Sequence, residues 1–528
     1  MTPFPTGRPA ADLTSSAPRV IREIEHKFRV HGLFVLPDLT TLDSVGGTQD
    51  AGTEDVDSLY LDTADLRLIR EGFALRRRSG GDDEGWHLKL PVAGADSSVH
   101  DELRLPLTDT DEPPAALTRL VHTVVRSAGL TEVARLRGRR HRLMIRDTAN
   151  VDVAVLVDDT MEVLDRSGEV TARFRELELD PIAATETTGH VVNDVAKALN
   201  EAGALGGDFV AKVVRALGPR AAAAPEVPAV DLPDDLAGAT VADVVAVTLS
   251  DTIRRFRTTD LSLRRDPDDP GAVHQTLVAA GRLRSAVHTY RTWLDGDRTR
   301  ELITAVEKVE DVLGRLRTAD VATQQILEGV GTSECSDATR DQVTSVLATR
   351  RTAARDDVLV MLESSAYLDL HEALVAAVQD ALVTSRAESA RALDTLPALL
   401  SPPWTTLSAQ VDTLSGATTD RDWHQVRLAA TNVQYAAEAV APGIGADANR
   451  FAHGMADVTD LLGEHHDAVV AEQVATSVAT MDTTSPEVES VLGRVAAELR
   501  VRADRATTRF PDVWRAAATP ELVRWFDG

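Results

Sequence analysis

The sequence predicts a multidomain α+β protein whose first half is a closed β structure and whose second half is helical. Before residue 181, seven strand-like segments alternate charged with apolar side chains. From about Leu236 onward, apolar residues recur at three- and four-residue spacing, which is typical of amphipathic helices. A run rich in alanine and proline separates the two patterns and indicates a linker. A chain of 528 residues is also too long for one ordinary core.

The first strand-like segment, 21–30, sets the pattern for the first half of the chain. Successive side chains of a strand point to opposite faces. Ile24, His26 and Phe28 therefore share one face of this segment. The other face is charged and carries Glu23, Glu25, Lys27 and Arg29.

The later segments repeat this alternation with complementary charges. If their apolar faces pack under helices, their charged faces point into a shared, wet interior, which a closed barrel provides. Packed charges are costly unless they are paired or liganded. Because carboxylates hold hard divalent cations and Arg and Lys hold phosphate oxygens, the pattern predicts a site for a metal-bound polyphosphate chain. The residues that share a charged face are Arg76 with Arg78, His87 with Lys89, His100 with Glu102 and Arg104, Arg135 with Arg137 and Arg139, Asp152 with Asp158, and Glu176 with Glu178 and Asp180.

Five motifs in this order resemble the CYTH superfamily, the triphosphate tunnel metalloenzymes. They are the ExExK signature at Glu23, Glu25 and Lys27, a Tyr-Phe-Asp-Thr-like segment at 59–63, a Leu-Arg-x-Arg strand at 75–78, a lysine strand at 88–89 and a closing Glu-Leu-Glu-Leu-Glu-like strand at 176–180. The resemblance covers about 20–217. It implies an antiparallel eight-stranded β tunnel with flanking helices.

The resemblance also implies metal-dependent hydrolysis of a triphosphate inside the tunnel. One or two Mg²⁺ or Mn²⁺ ions would be held by Glu23, Glu25, Asp158, Glu176 and Glu178. The phosphate chain would be held by Lys27, Arg76, Arg78, Lys89, Arg137 and Arg139, with Arg142 as a further candidate if the register of its strand differs. The first four of these cations are the predicted catalytic residues. Lys212 matches a lysine that, in the family, reaches the phosphates from the last helix.

Two other functions are compatible with the same residues. A class IV adenylate cyclase shares the ExExK tunnel and uses the same metal chemistry to expel pyrophosphate from ATP. A polyphosphate-binding scaffold would hold the polymer without turnover. Inorganic triphosphate is the favoured substrate, ahead of nucleoside triphosphate, thiamine triphosphate and longer polyphosphate.

The helical half contains a weak internal repeat. His274 and His424 stand near the starts of two long helices, 150 positions apart (424 − 274), and a Leu-Gly pair follows each at 313–314 and 462–463. This resembles the CHAD domain, an all-α pair of four-helix bundles that often follows a CYTH domain and is associated with inorganic polyphosphate. The polyphosphate-binding residues implied by the resemblance are His274, Arg282, Arg284, His424, Arg427 and His466.

The chain departs from the CHAD pattern where further basic residues are usual. Those places are occupied by Leu277, Gly281, Thr431, Asn432 and Gln434. Because affinity for a polyanion depends on the number of Lys and Arg contacts, we expect weak or no binding of long polyphosphate by this half.

The patterns give the following domain boundaries. A flexible leader at 1–17 precedes the tunnel domain at 18–218, an Ala/Pro linker at 219–237 and the helical domain at 238–526. The helical domain is expected to comprise two repeats, about 238–398 and 402–526.

Composition narrows the partners and the compartment. Lys and Arg total 56 against 83 Asp and Glu, so the net charge of −27 disfavours nucleic-acid and membrane-surface binding. Cys335 is the sole cysteine, which rules out an intrachain disulfide and fits a reducing cytosol. We therefore expect a cytoplasmic protein, with polyphosphate granules as one place of association. The sequence does not identify protein partners.

Overall fold

The computed structural model describes residues 18–24, 26–92, 99–207, 211–380, 382–415, 418–482 and 484–527, without the side chains of Glu23, Ile24 and Asp527. By its internal contacts the chain divides into two units, Met1–Glu226 and Val227–Gly528. We call them unit 1 and unit 2 and describe each by itself. No helix in the described part of the chain is both long and apolar enough to cross a membrane.

Unit 1 is built on one antiparallel sheet. Its strands are β1 (Arg19–Ile24), β2 (His26–Val30), β3 (Val45–Asp62), β4 (Ala74–Ser79), β5 (Gly85–Pro91), β6 (Val99–Leu105), β7 (Thr131–Asp147), β8 (Asp152–Leu164), β9 (Val170–Pro181) and β10 (Leu205–Gly206). Their spatial order is β1-β6-β5-β4-β3-β7-β8-β9-β2-β10.

The sheet returns on itself through its first two strands. β1 and β2 follow one another in the chain, yet β1 pairs with β6 whereas β2 pairs with β9, at the opposite end of the order. Segment 19–30 therefore joins the two ends of the sheet, which encloses an interior as the sequence predicts. The predicted count of eight strands is corrected to ten. The segments 19–24 and 26–30 count as two strands because they pair with different neighbours, and the two-residue β10 adds one more.

Four helices flank the sheet of unit 1. They are α1 (Arg67–Arg70), α2 (Ala115–Val125), α3 (Glu186–Glu201) and α4 (Lys212–Leu217). Helix α3 starts at the cap Thr185, whose side chain accepts a hydrogen bond from the backbone of Thr188. Its buried face packs on Leu177 and Leu179 of β9, so this part of the outer sheet face is apolar.

The chain after α4 stays against unit 1 as far as Glu226. Ala221 is buried, and the Glu226 carboxylate accepts two hydrogen bonds from the Arg126 guanidinium at 2.9 and 2.7 Å. The first part of the predicted linker at 219–237 is thus held by a buried, bidentate ion pair. The boundary between the two units falls after Glu226, inside that predicted linker.

Unit 2 is helical, as predicted. Its α-helices are α5 (Val241–Arg265), α6 (Pro270–Thr289), α7 (Gly296–Thr332), α8 (Asp337–Glu363), α9 (Ser365–Gln379), α10 (Ser385–Ser389), α11 (Ala392–Thr395), α12 (Ser401–Asp412), α13 (Asp420–Ile444), α14 (Ala446–Ala479), α15 (Pro486–Ala517) and α16 (Pro520–Asp527). Capping boxes at Thr240 with Asp243 and at Thr419 with Asp422 fix the starts of α5 and α13.

Four successive long helices of each predicted repeat, α5–α8 and α12–α15, pack against their neighbours in order. Their apolar side chains form one large core shared by both repeats. A second core joins the far ends of α7, α8, α14 and α15, where Gly329 allows close approach to Val495. The two repeats are therefore packed together rather than independent.

Candidate active site

The interior of unit 1 contains a cavity of about 920 Å³ that is lined by both charged and apolar side chains. Directly opposite residues of an antiparallel pair share a face, so the register fixes which side chains meet inside. Lys27 faces Glu178 across β2 and β9, and Arg76 faces Tyr60 across β4 and β3. The predicted residues that line this cavity are Lys27, Arg76, Arg78, Lys89, Glu178 and Lys212.

Three buried carboxylates converge on one ammonium group in the interior. The Nζ atom of Lys212 lies 2.6 Å from Glu178 Oε1, 2.8 Å from Glu176 Oε1 and 3.0 Å from Asp159 Oδ2. Glu176 and Glu178 alternate with apolar residues on β9, whereas Asp159 comes from β8 opposite Glu176. Helix α4 begins at Lys212 and delivers its side chain to this group. We call Asp159, Glu176 and Glu178 the carboxylate cage.

Each carboxylate of the cage also has a second cation. Arg140 donates two hydrogen bonds to Asp159 at 3.0 and 2.8 Å, Lys27 lies 2.9 Å from Glu178, and Arg215 of α4 donates to Glu176. Burial alone would raise the pKa of Glu178, but the charges of Lys212, Lys27 and Arg140 hold that pKa well below its usual value. The charges of Lys212 and Arg140 likewise lower the pKa of Asp159, so Glu178 and Asp159 are ionised at neutral pH.

Two arginines of β4 form the other charged group of the interior. The Arg76 guanidinium donates a hydrogen bond to Glu102 at 3.0 Å, and Arg104, which shares a face of its strand with Glu102, donates a hydrogen bond to the same carboxylate. Arg78, which is almost fully buried, donates to Ser58 Oγ at 3.2 Å and to Asp83 at 2.5 Å. Both guanidiniums are held in fixed positions by these partners.

Tyr60 lies among these cations and was not among the predicted site residues. Burial would raise the pKa of its phenol, but the nearby charges of Arg76, Arg78 and Lys212 lower that pKa overall. The phenol lines the same cavity as Arg76, Arg78 and Lys212. Its place in the 59–63 motif was a usable signal, since the side chain shares a face with Arg76.

The structure puts Arg137, Arg139 and Asp158 on the outer face of the sheet, contrary to their predicted places in the tunnel. Arg137 and Arg139 are 56% and 76% exposed at their side chains and lie 3.5 and 3.8 Å from Asp57 and Asp55. Asp158 instead accepts hydrogen bonds from Arg175 at 2.8 and 2.6 Å.

The physical reason is the choice of face. Alternation separates two faces, but it does not say which one is interior. The prediction placed the apolar Leu136 outside, under a helix, whereas Leu136 lies inside in a cluster with Tyr60 and Val213. Arg140 and Asp159, one position further along the same strands, are the interior residues. Arg142, the alternative to Arg137, does line the cavity and lies 3.2 Å from Glu54.

The two acidic residues of the ExExK signature are not placed by the structure. Glu25 and the side chain of Glu23 lie outside the described residues, although the backbone of Glu23 pairs with His100 in β1 and β6. Their predicted role as metal ligands stays a prediction.

The carboxylate cage has the donor chemistry that a hard divalent cation needs. Across the described residues, no group of three or more His, Cys, Asp or Glu side chains is arranged to hold a metal ion. The positively charged ammonium of Lys212 occupies the point at which three carboxylate oxygens converge. Oxygen-only donors within 3.0 Å of one point fit Mg²⁺ or Mn²⁺ in kind.

Unit 2 has its own charged groove, a cavity of about 1440 Å³. Its lining contains all six predicted residues: His274, Arg282, Arg284, His424, Arg427 and His466. The rings of His424 and His466 lie with centroids 4.8 Å apart. Burial, followed by the charge of Arg427, lowers the pKa of His466 to about 3, so this imidazole is neutral at pH 7.

Two arginines of the groove are neutralised within the fold. Arg282 lies 2.6 Å from Glu438, and Arg284 lies 2.5 Å from Glu310. These acidic partners come from α13 and α7, which face α6. Part of the positive charge expected for a polyanion groove is therefore already paired.

Comparison with known families assigns both units. The family model of the CYTH domain matches residues 22–216, and that of the CHAD domain matches residues 248–476. The chain thus contains a CYTH domain followed by a CHAD domain. CYTH domains are those of triphosphate tunnel enzymes and are generally dependent on divalent metal.

Individual relatives match either most of this chain or about half of it or less. The uncharacterized protein Rv2226 of Mycobacterium tuberculosis is 28% identical over 481 residues, which cover 87% of this chain and 89% of the relative. PptA from Streptomyces chartreusis is 21% identical with a TM-score of 0.45 and covers 52% of this chain and 99% of its own. HpAC1 from Hippeastrum, described as an adenylyl cyclase candidate with a dominant triphosphatase activity, is 17% identical with a TM-score of 0.23 and covers 38% and 98%.

Proposed function

We propose that the CYTH domain of this chain hydrolyses a triphosphate, with inorganic triphosphate as the favoured substrate and Mg²⁺ or Mn²⁺ as the cation. The observation that carries the proposal is the division of the cavity into two charged groups. One is the carboxylate cage, of which Glu178 lines the cavity, and the other is the pair of guanidiniums of Arg76 and Arg78, which buried partners hold in place. A metal-bound phosphate chain needs both.

The cationic side chains bind and orient the phosphates. Arg76 and Arg78 present planar guanidiniums suited to phosphate oxygens, and Lys27 and Lys89 add compact ammonium charges on the neighbouring interior faces. Since buried partners already fix the two guanidiniums, little reorganisation is needed when the substrate enters. Asp159, Glu176 and Glu178 would hold a divalent cation, which would supply positive charge to offset the negative charge that develops during transfer to water.

The cage and the phenol supply the remaining chemistry. An ionised carboxylate such as Glu178 accepts a hydrogen bond from the attacking water and so orients it. Tyr60, among three cations, is placed to donate a hydrogen bond to a phosphate oxygen. Glu178 and Tyr60 would thus orient the water and hydrogen-bond the phosphate, respectively.

The experiment is a phosphate-release screen of the full chain. Inorganic triphosphate, ATP, thiamine triphosphate and long polyphosphate are each tested with Mg²⁺, with Mn²⁺ and with a chelator. The proposal predicts metal-dependent release that is fastest with inorganic triphosphate. Cyclic AMP and pyrophosphate from ATP would identify the cyclase alternative, and binding without turnover would identify the scaffold alternative.

Strand β4 supplies a matched control for this screen. Arg76 faces the interior, whereas Arg77, the next residue, points outward and lies 3.5 Å from Asp111. Arg76→Gln should lower release by about 100-fold or more, because loss of one fixed charge contact to the transition state costs about 3 kcal/mol. Arg77→Gln should leave release within about twofold, as exposed ion pairs contribute little.

For the CHAD domain we propose weak anion binding in the groove of unit 2. The self-neutralised pairs Arg282–Glu438 and Arg284–Glu310 support this proposal. Labelled long polyphosphate, titrated at two salt concentrations, should bind with a shallow salt dependence because few contacts release counterions. Tight binding at physiological salt would contradict it.

A further inference from the structure

The position of Lys212 has a consequence that goes beyond substrate binding. Its ammonium lies within 3.0 Å of three carboxylates from two strands, at the one described point in unit 1 where three such groups converge. The side chain is buried, and the oxygens of Asp159, Glu176 and Glu178 surround its ammonium group. The Lys212 ammonium therefore occupies the point at which the oxygens of the carboxylate cage converge.

We propose that Lys212 and a divalent cation exclude one another at the carboxylate cage. This inference rests on the proposed metal-dependent function of the same site. Two cations cannot share oxygens at 2.6–3.0 Å from one point without strong repulsion. Metal entry therefore displaces the Lys212 ammonium from the cage, and loss of the metal lets it return.

The surroundings show where the displaced ammonium has room. Lys212 lines the same cavity as Arg76, Arg78 and Tyr60. A turn of the side chain away from the cage moves its charge toward the phosphate-binding side. The same lysine then serves as a placeholder for the metal in the empty tunnel and as a phosphate contact in the loaded one.

Removal of Lys212 should leave the fold intact, because no carboxylate of the cage depends on it alone. Asp159 keeps Arg140, Glu178 keeps Lys27, and Glu176 keeps Arg215. The control is Lys197→Met in α3, which removes the same charge from a side chain that is 76% exposed and 3.9 Å from Glu201.

The test measures Mn²⁺ binding without substrate, by the electron paramagnetic resonance signal of unbound Mn²⁺. Full-length wild type, Lys212→Met and Lys197→Met are compared after thermal melts. Lys212→Met should bind Mn²⁺ on the order of tenfold to a hundredfold more tightly than wild type, because the metal no longer displaces a charge. Lys197→Met should match wild type. Equal or weaker binding by a folded Lys212→Met would overturn the inference.

A second measurement uses the wild-type chain alone and decides the matter if the variant does not fold. Reductive methylation followed by mass spectrometry reports the accessibility of the Lys212 amine. Saturating Mg²⁺ should increase Lys212 labelling while leaving Lys197 labelling unchanged. Labelling of Lys212 that is the same with and without saturating Mg²⁺ would refute the mutual exclusion of Lys212 and the divalent cation.

The outcomes separate this inference from the proposed function. If the wild type hydrolyses triphosphate in a metal-dependent way and Lys212→Met binds Mn²⁺ with unchanged affinity, the proposed function stands and the inference about Lys212 is refuted. Absence of both Mn²⁺ binding and metal-dependent hydrolysis in the wild type would remove both.

Discussion

Asp159→Asn is the substitution whose effect follows most directly from the interior geometry. The carboxylate is fully buried, accepts two hydrogen bonds from Arg140 and lies 3.0 Å from Lys212. The amide keeps the shape of the side chain but removes the charge that both cations face. Asp158→Asn, one residue earlier and on the outer face, is the matched control.

The loss of stability can be bounded from these contacts. Removing one partner of a buried ion pair costs about 3–5 kcal/mol. Here Glu178 still lies 3.8 Å from Arg140 and 2.6 Å from Lys212, so the two cations retain an acidic neighbour. We therefore expect about 2–3 kcal/mol, which for a unit of this size lowers its melting temperature by about 4–12 °C. Asp158→Asn breaks a pair that is partly exposed on both sides and should cost about 1 kcal/mol or less.

The two variants should differ more in activity than in stability. On the proposed function Asp159 belongs to the cage that holds the divalent cation, so Asp159→Asn should weaken Mn²⁺ or Mg²⁺ binding by about 10–100-fold. Asp158→Asn should keep both metal affinity and phosphate release.

The assay combines calorimetry of the full chain with phosphate release as a function of metal concentration. Hydrogen exchange of the strand peptides assigns the thermal transition of unit 1. Wild-type metal dependence in a folded Asp159→Asn would refute the reasoning, and so would a larger loss for Asp158→Asn than for Asp159→Asn.

Three further predictions use other parts of the molecule. Tyr60→Phe should lower kcat/KM for triphosphate about tenfold with little change in stability, since it removes one hydrogen-bond donor of about 1–2 kcal/mol, and unchanged kinetics would remove Tyr60 from the site. Arg at positions 431 and 434 should strengthen polyphosphate binding and steepen its salt dependence, and salt-independent binding by this double variant would contradict the prediction. Position 281 is unsuitable for Arg because a Cβ there would lie 3.2 Å from both Glu310 and Tyr435. Fragments 1–226 and 227–528 should fold separately, with β-rich and helical circular dichroism spectra respectively. A fragment that ends before Glu226 should be less stable because it loses the ion pair with Arg126, and equal melting temperatures of fragments 1–218 and 1–226 would disprove this.

The sequence predicts the two architectures well because each has a strong period. Alternation marks seven strand-like segments, although it does not mark the long strand β3, and the motif order identifies Lys27, Arg76, Arg78 and Lys89, which line the cavity. Helical periodicity likewise brings the six predicted residues of unit 2 to one groove. These features depend on local spacing, which the sequence contains.

The wrong site predictions concern properties that the local spacing of residues does not determine. On β7 the odd positions 137 and 139 and the even positions 140 and 142 are both basic, so alternation alone cannot choose the interior face. The interior face of β7 is the face on which the apolar Leu136 packs with Val213 of α4, and these two residues are far apart in sequence. The partners of Arg282 and Arg284 are also non-local, at 438 and 310, and their neutralising effect is visible only after the helices are packed.

The most direct test of the central claim is a ³¹P nuclear magnetic resonance time course of inorganic triphosphate with the full-length protein and Mg²⁺. The account predicts conversion to equal amounts of phosphate and pyrophosphate, which stops when a chelator is added and is lost in Arg76→Gln but retained in Arg77→Gln. Triphosphate that persists unchanged with Mg²⁺ and with Mn²⁺ would contradict the claim that this tunnel is a triphosphatase site.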